Sequence, residues 1–284
     1  MKDIYLAYFM LALTAAGSLG YALRSFLAGR SRHPRTEADG GSVFLNKASM
    51  EMGYWVLEPI VNLMVSLRVS ATAITMFSLL PAAGAGVAFA FGCFGAGCML
   101  ATFASLADIV DGLVARRTGV ASDAGEVLDA IVDRYGEFIF LAGLAVFFRD
   151  SVLGLILALN AAMGTFIFSY VTAKAEAMRV KPPRGTMRRG ERAVYLNVGA
   201  ALTAVTLSVF RDSPMQALRT LPIILAVAIV GVATNVSALQ RAAAVRVELR
   251  KREREGAPAS ASHDGPADSM NRVVVAPKGP AGSF

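Results

Sequence analysis

Histidine is nearly missing from this chain: there are two among 284 residues, His33 and His263. One lies in an arginine-rich arm and the other in a tail of Ala, Pro, Ser and Gly. Neither a His-based catalytic triad nor a His-ligated zinc centre can be assembled from them. Cysteine is equally scarce. Cys93 and Cys98 are spaced C-x4-C with no second pair, which argues against zinc or iron–sulfur ligation and points to free, buried thiols, with a disulfide open only on an oxidising face. Charge is low as well: 17% of residues are Asp, Glu, Lys or Arg, against 55% hydrophobic, too apolar for a soluble domain of this size.

What the chain has instead is long uncharged runs. A helix needs about 20 apolar residues to cross a hydrocarbon core, and Ile4–Leu23, Ala71–Phe91, Ser151–Ala173 and Thr220–Gln240 meet that length. Ala193–Phe210 is slightly shorter, and two more helices, Cys93 to about Ala115 and about Glu126 to Phe148, carry aspartates at one end. Seven spans are therefore expected, in an all-α integral membrane protein. Residues 1–42 read as a retained transmembrane anchor with a basic arm, because Arg24, Arg30, Arg32 and Arg35 follow the first run rather than precede it. Residues 43–70 place Val56, Leu57, Ile60, Val61, Met64 and Leu67 at helical spacing beside Tyr54 and Trp55, the pattern of an interfacial helix. Residues 71–245 hold six helices, and residues 246–284 a charged stem and a disordered tail.

Lys and Arg gather in alternate loops, at Arg116 and Arg117 and again from Lys174 to Arg192, whereas "FGCFGAG" carries no charge. By the positive-inside rule these basic loops face the cytoplasm, in an inner or plasma membrane, and the amino terminus lies outside. The net charge of +7 needs no nucleic acid, since loops and stem can lie against anionic membrane lipids.

Four acids interrupt the apolar pattern. Asp108 and Asp111 are three apart and Asp129 and Asp133 four apart, so each pair shares a helix face. The short connection makes the two helices antiparallel neighbours, and Gly112, Ala115 and Gly125 cut back the groove between them. Four converging carboxylates repel one another unless cations bind. All-oxygen ligation selects hard ions such as Mg2+ or Mn2+, and two of them would clamp a pyrophosphate. The carboxylates alone leave three readings open: metal-dependent phosphate chemistry, an ion pathway in a transporter, and structural pairing with Arg116 or Arg134. Among neighbouring acids, Asp123 with Glu126 reads as a capping box, and Glu137 is placed to pair with Arg134.

The stretch Asp108-x2-Asp111-Gly112-x2-Ala115-Arg116-x8-Gly125-x3-Asp129-x3-Asp133 resembles the signature of the CDP-alcohol phosphatidyltransferase family at all of its fixed positions. The resemblance covers about Val69 to Gln240 and implies the family's six-helix bundle. It implies attack of a small alcohol's hydroxyl on the β-phosphorus of CDP-diacylglycerol, with release of CMP. It would make Asp108, Asp111 and Asp129 ligands of two divalent ions, with Asp133 near the metals and acting as base. Asp108, Asp111, Gly112, Ala115, Arg116 and Gly125 would contact the nucleotide. A homodimer is also implied. Further on, Ser169-Tyr170, Ala173, Ala175-Glu176, Arg189 and Glu191-Arg192 look like the branch that uses inositol phosphate, making Arg189 and Arg192, with Lys174, the expected holders of the acceptor's phosphate. That branch tends to carry Lys and Arg where this chain has Thr172 and Lys174. Glycerol 3-phosphate, serine and free inositol stay open as acceptors, and a transporter or catalytically inactive binding protein as the reading of another class.

Overall fold

The computed structural model describes residues 2–29, 47–181, 187–211 and 216–256. Most of the basic arm, the first residues of the interfacial segment, Arg184, both histidines and the tail expected to be disordered lie outside the described residues. Eight helices follow in order: α1 (Lys2–Ala28), α2 (Lys47–Ser66), α3 (Ala71–Ala90), α4 (Phe94–Thr118), α5 (Asp123–Phe147), α6 (Val152–Ala177), α7 (Arg189–Val209) and α8 (Gln216–Arg254). No strand occurs among the described residues.

Short polar punctuation sets the boundaries. Ser70, Ser122 and Ser151 accept hydrogen bonds from Ala73, Gly125 and Gly154 and cap α3, α5 and α6. The cap of α5 is therefore Ser122, one residue before the Asp123 expected for that role. Asp123 and Glu126 fall in the first turn, where acids complement the helix dipole. Gly119, at φ 71° in the left-handed region, ends α4.

Six of these helices, α1, α3, α4, α6, α7 and α8, are long and apolar enough to cross a membrane. The seventh expected span, α5, falls outside that set because Asp133, Arg134 and Glu137 interrupt its apolar stretch. At 25 residues it is still about 37 Å long, and it packs on α3 and α6 inside the bundle.

The packing is that of a membrane bundle, with small residues inside and large ones outside. Ala85, Ala158, Ala161 and Ala200 are fully or almost fully buried beside Phe89, Leu141 and Leu144, while Phe77, Leu80, Leu153 and Leu159 point outward. Gly86 and Gly143 let α3 and α5 cross closely: a Cβ on Gly86 would lie 2.6 Å from Ile139, and one on Gly143 would run into the Gly86 carbonyl. The face of α2 bearing Leu57 and Val61 packs on Ile74, Val110 and Val114 of α3 and α4, and Val56, Ile60 and Leu63 remain exposed. Both cysteines are free, Cys98 buried and Cys93 exposed. Beyond Gln240, α8 docks rather than projecting freely: Val245 and Leu249 pack on Ala175, Met178 and Val180, and Arg252 donates to the Met178 and Arg179 carbonyls.

Candidate active site

The acidic faces of α4 and α5 meet next to the end of α7. Asp108, Asp111 and Asp129 each present a carboxylate oxygen, all within 4.8 Å of one another. Asp111 is 4% exposed, and Thr75 of α3 donates to it at 2.5 Å, which fixes its rotamer. One oxygen of Asp129 is buried without a protein partner, a costly arrangement unless a ligand satisfies it. Three convergent carboxylates, one with an orphaned oxygen, fit a hard divalent cation.

Asp133 lies outside this triad, where Arg189, in the first turn of α7, bridges it to Asp108. One guanidinium nitrogen donates to Asp108 at 2.8 Å and the other to Asp133. Asp108 and Asp133 line a cavity that runs inward past Ser105, Gly136, Glu137 and Asn197. The four acids expected to converge are therefore together, divided into a triad and an arginine-bridged fourth member.

The remaining expected residues are distributed unevenly. The guanidinium of Arg116 folds back over Gly112, 3.3 Å from where a Cβ would stand, so the bare glycine makes room for it. Ala115 is half-buried, and Gly125 lies exposed in the first turn of α5. Arg192 is 1% exposed and donates to Glu137 at 2.6 Å and to the Met187 carbonyl. It stands behind the cavity wall rather than open to a substrate. Lys174 is exposed on a separate groove between α6 and α8, with Tyr170, Arg246 and Arg250, and does not line the aspartate cavity.

Two functional contacts escaped sequence reasoning. Glu137 does pair with Arg134, at 3.1 Å, but its other oxygen takes Arg192 from a helix more than fifty residues away. Thr75, at the start of an apolar run, carries no local sign that it will hold Asp111.

A bundle of apolar helices with a carboxylate triad at one end and a cavity beside it has the donor set for a hard divalent cation and room for a substrate next to it. Residues 62–236 match the CDP-alcohol phosphatidyltransferase family, and the chain belongs to that family, a family of phosphotransferases. A phosphatidylinositol phosphate synthase of Mycolicibacterium smegmatis is 36% identical over 168 residues, 57% of this chain and 71% of that enzyme. An archaetidylinositol phosphate synthase of Methanothermobacter thermautotrophicus is 30% identical over 127 residues, 45% of this chain and 64% of that one. Among solved structures, the Mycobacterium tuberculosis phosphatidylinositol phosphate synthase with CDP-DAG bound superposes with a TM-score of 0.56 at 25% identity, over 66% of this chain and 92% of that chain.

Proposed function

We propose that this protein transfers the phosphatidyl group of CDP-diacylglycerol to a hydroxyl of inositol phosphate and releases CMP, at the cytoplasmic face of an inner or plasma membrane. The observation that carries this reading is the Asp108–Asp111–Asp129 triad beside a cavity lined by Asp133 and Arg189. The inositol phosphate acceptor is supported by the names of the relatives described above.

In the reaction, an acceptor hydroxyl oxygen bonds to the β-phosphorus, the bond from that phosphorus to the oxygen bridging the α-phosphate breaks, and CMP departs. Asp133 takes the hydroxyl proton. Its place at the cavity wall, next to Asp108, suits a base acting between the donor and acceptor sites. Asp108, Asp111 and Asp129 would hold Mg2+ or Mn2+, as two ions with Asp133 close by, and the metal supplies charge neutralisation at the pyrophosphate. Thr75 keeps Asp111 aimed at that position. Gly112, Ala115, Arg116 and Gly125 border the nucleotide. Arg189 turns between the carboxylates and the acceptor's phosphate, while Arg192 supports the wall through Glu137 and Lys174 contributes to the basic cytoplasmic rim. A homodimer completes the reading.

The test is CMP release by the detergent-solubilised protein with CDP-diacylglycerol and Mg2+, across inositol 1-phosphate, glycerol 3-phosphate, serine and free inositol. Release with inositol 1-phosphate is expected. Release with glycerol 3-phosphate alone would reassign the acceptor, and CDP-lipid binding with no release from any acceptor would mark an inactive relative.

A further inference from the structure

The first helix lies outside the segment that matches the family, and it is pinned to the bundle at both ends. At its start, the Asp3 carboxylate accepts hydrogen bonds from the Gly95 and Ala96 amides at 2.9 and 2.8 Å, capping α4 in place of Cys93, whose side chain makes no such bond. Arg24 stands 21 residues further along α1, about 31 Å of helix, which matches the roughly 30 Å of a hydrocarbon core. It is thereby carried to the end of the bundle that holds the aspartates. There α1 meets α2. The Tyr21 hydroxyl donates to Glu51 at 2.9 Å, and the Trp55 ring lies 3.6 Å from where a Cβ on Gly20 would stand.

Within this contact Arg24 is left without a counterion. Its guanidinium carbon sits 5.8 Å from the centroid of the Trp55 ring. One terminal nitrogen is buried with no hydrogen-bond partner, and so is the hydroxyl of the adjacent Ser25. Among the described residues, no carboxylate comes within ion-pairing distance of Arg24. Other arginines at this end of the bundle are provided for: Arg117 of α4 binds Asn62 and Glu58 of α2, and Arg189 binds two aspartates. An aromatic face does not replace the hydration of a guanidinium withdrawn from water. A guanidinium with a spare donor, a hydroxyl on the next residue and an indole at the depth of a membrane surface has the chemistry that holds a lipid phosphate. The surroundings favour a lipid over a dissolved anion. Leu23, Phe26 and Leu27 beside Arg24 are exposed, as are Val56, Ile60 and Leu63 on α2, and such apolar surface next to a cation suits acyl chains below a headgroup.

We propose that Arg24, with Ser25 and Trp55, binds the phosphate of an anionic phospholipid at the aspartate end of the bundle, as a site separate from those of the donor and the acceptor. The inference depends neither on which alcohol the enzyme uses nor on turnover. Its consequence for the enzyme runs through α2. Leu57 and Val61, which follow Trp55, pack on Val110 and Val114, the residues that flank Asp111 in sequence, while Asn62 and Glu58 hold Arg117. A lipid bound at Arg24 therefore steadies the helix that lies against the first helix of the triad.

Trp55 is the only tryptophan of the chain, so its fluorescence reads this site alone. The detergent-solubilised protein is titrated with phosphatidylglycerol brominated on its acyl chains and, in parallel, with phosphatidylcholine brominated in the same way. Half-quenching of Trp55 is expected at an about fivefold lower mole fraction of the anionic lipid, the preference that one arginine confers at a charged membrane surface. Arg24→Gln should abolish that preference and Arg24→Lys should weaken it, the second variant serving if the first does not fold. Phosphatidylglycerol should raise the Tm of the wild type and not that of Arg24→Gln. Without added lipid Arg24→Gln should leave the Tm unlowered, because Arg24 then has no ionic partner to lose. Equal quenching by the two lipids, or a preference unchanged in the variants, overturns the proposal, and a lowered Tm alongside that unchanged preference would make Arg24 structural. Inorganic phosphate reversing the quenching would assign the site to a dissolved anion. Reversal by CDP-diacylglycerol with Mg2+ in the wild type but not in Asp129→Asn would make it part of the donor site. Either of these results also overturns the proposal.

Discussion

The acidic corner formed by α4 and α5 and the basic corner formed by α6, α7 and α8 are built by opposite means. In the first, the four carboxylates lie within 26 residues of chain, from Asp108 to Asp133, on two helices joined by a four-residue connection. In the second, Thr172, Arg192 and Arg241 come from three helices, and their partners are set only by packing. The difference teaches where charge can be tolerated in a bundle of this kind. Three carboxylates crowd together in a set that a cation would neutralise, whereas each arginine has its own counterpart: an acid for Arg192, two aspartates for Arg189, and a hydroxyl and an aromatic face for Arg241.

The comparison can be broken most sharply in the acidic corner. Asp129→Asn removes a triad member that no protein group replaces, and CMP release should fall by about a thousandfold or more, as expected when metal-held charge stabilisation is lost. Asp133→Asn should reduce turnover to background and leave CDP-lipid binding largely intact; full activity in that variant would remove Asp133 from the role of base. In the basic corner the effect should be on folding. Glu137→Gln leaves Arg192 buried without its counterion, and a loss of about 3–5 kcal/mol is expected from thermal unfolding in detergent. Replacing Arg192 and Glu137 together by Met should cost less than either single change, and an equal or larger cost would show that the pair is not the unit. The smallest effect sharpens the acidic side: Thr75→Val frees Asp111 to turn and should lower kcat about tenfold and the Tm by a few degrees, since one hydrogen bond to a charged group contributes about 1.5–3 kcal/mol.

Legibility in the sequence follows the same division. The carboxylate faces could be read because three- and four-residue spacings on a helix dictate a shared side, and the short Gly119–Ser122 connection forces adjacency. The apolar runs placed the helices to within a few residues. Boundaries drifted where two capping signals competed, as at Ser122 and Asp123. The α5 span was legible by its length but not by its composition, because the residues that serve the site spoil its hydropathy. Arg192 illustrates the limit on the basic side. The resemblance implies an acceptor contact for it, yet its 1% exposure and its bond to Glu137 depend on how packing on α4 and α8 sets α7 across from α5.

Composition and spacing by themselves determined that this is a membrane bundle with a carboxylate site on one pair of helices, because hydropathy and helical periodicity are local properties that survive any arrangement of the rest. Only the tertiary structure decided that Thr75 holds Asp111, that Arg189 bridges Asp108 to Asp133, and that Arg241 is buried against Phe168. Those contacts join residues tens of positions apart, and their partners are chosen by how closely small residues such as Gly86 and Gly143 let the helices approach.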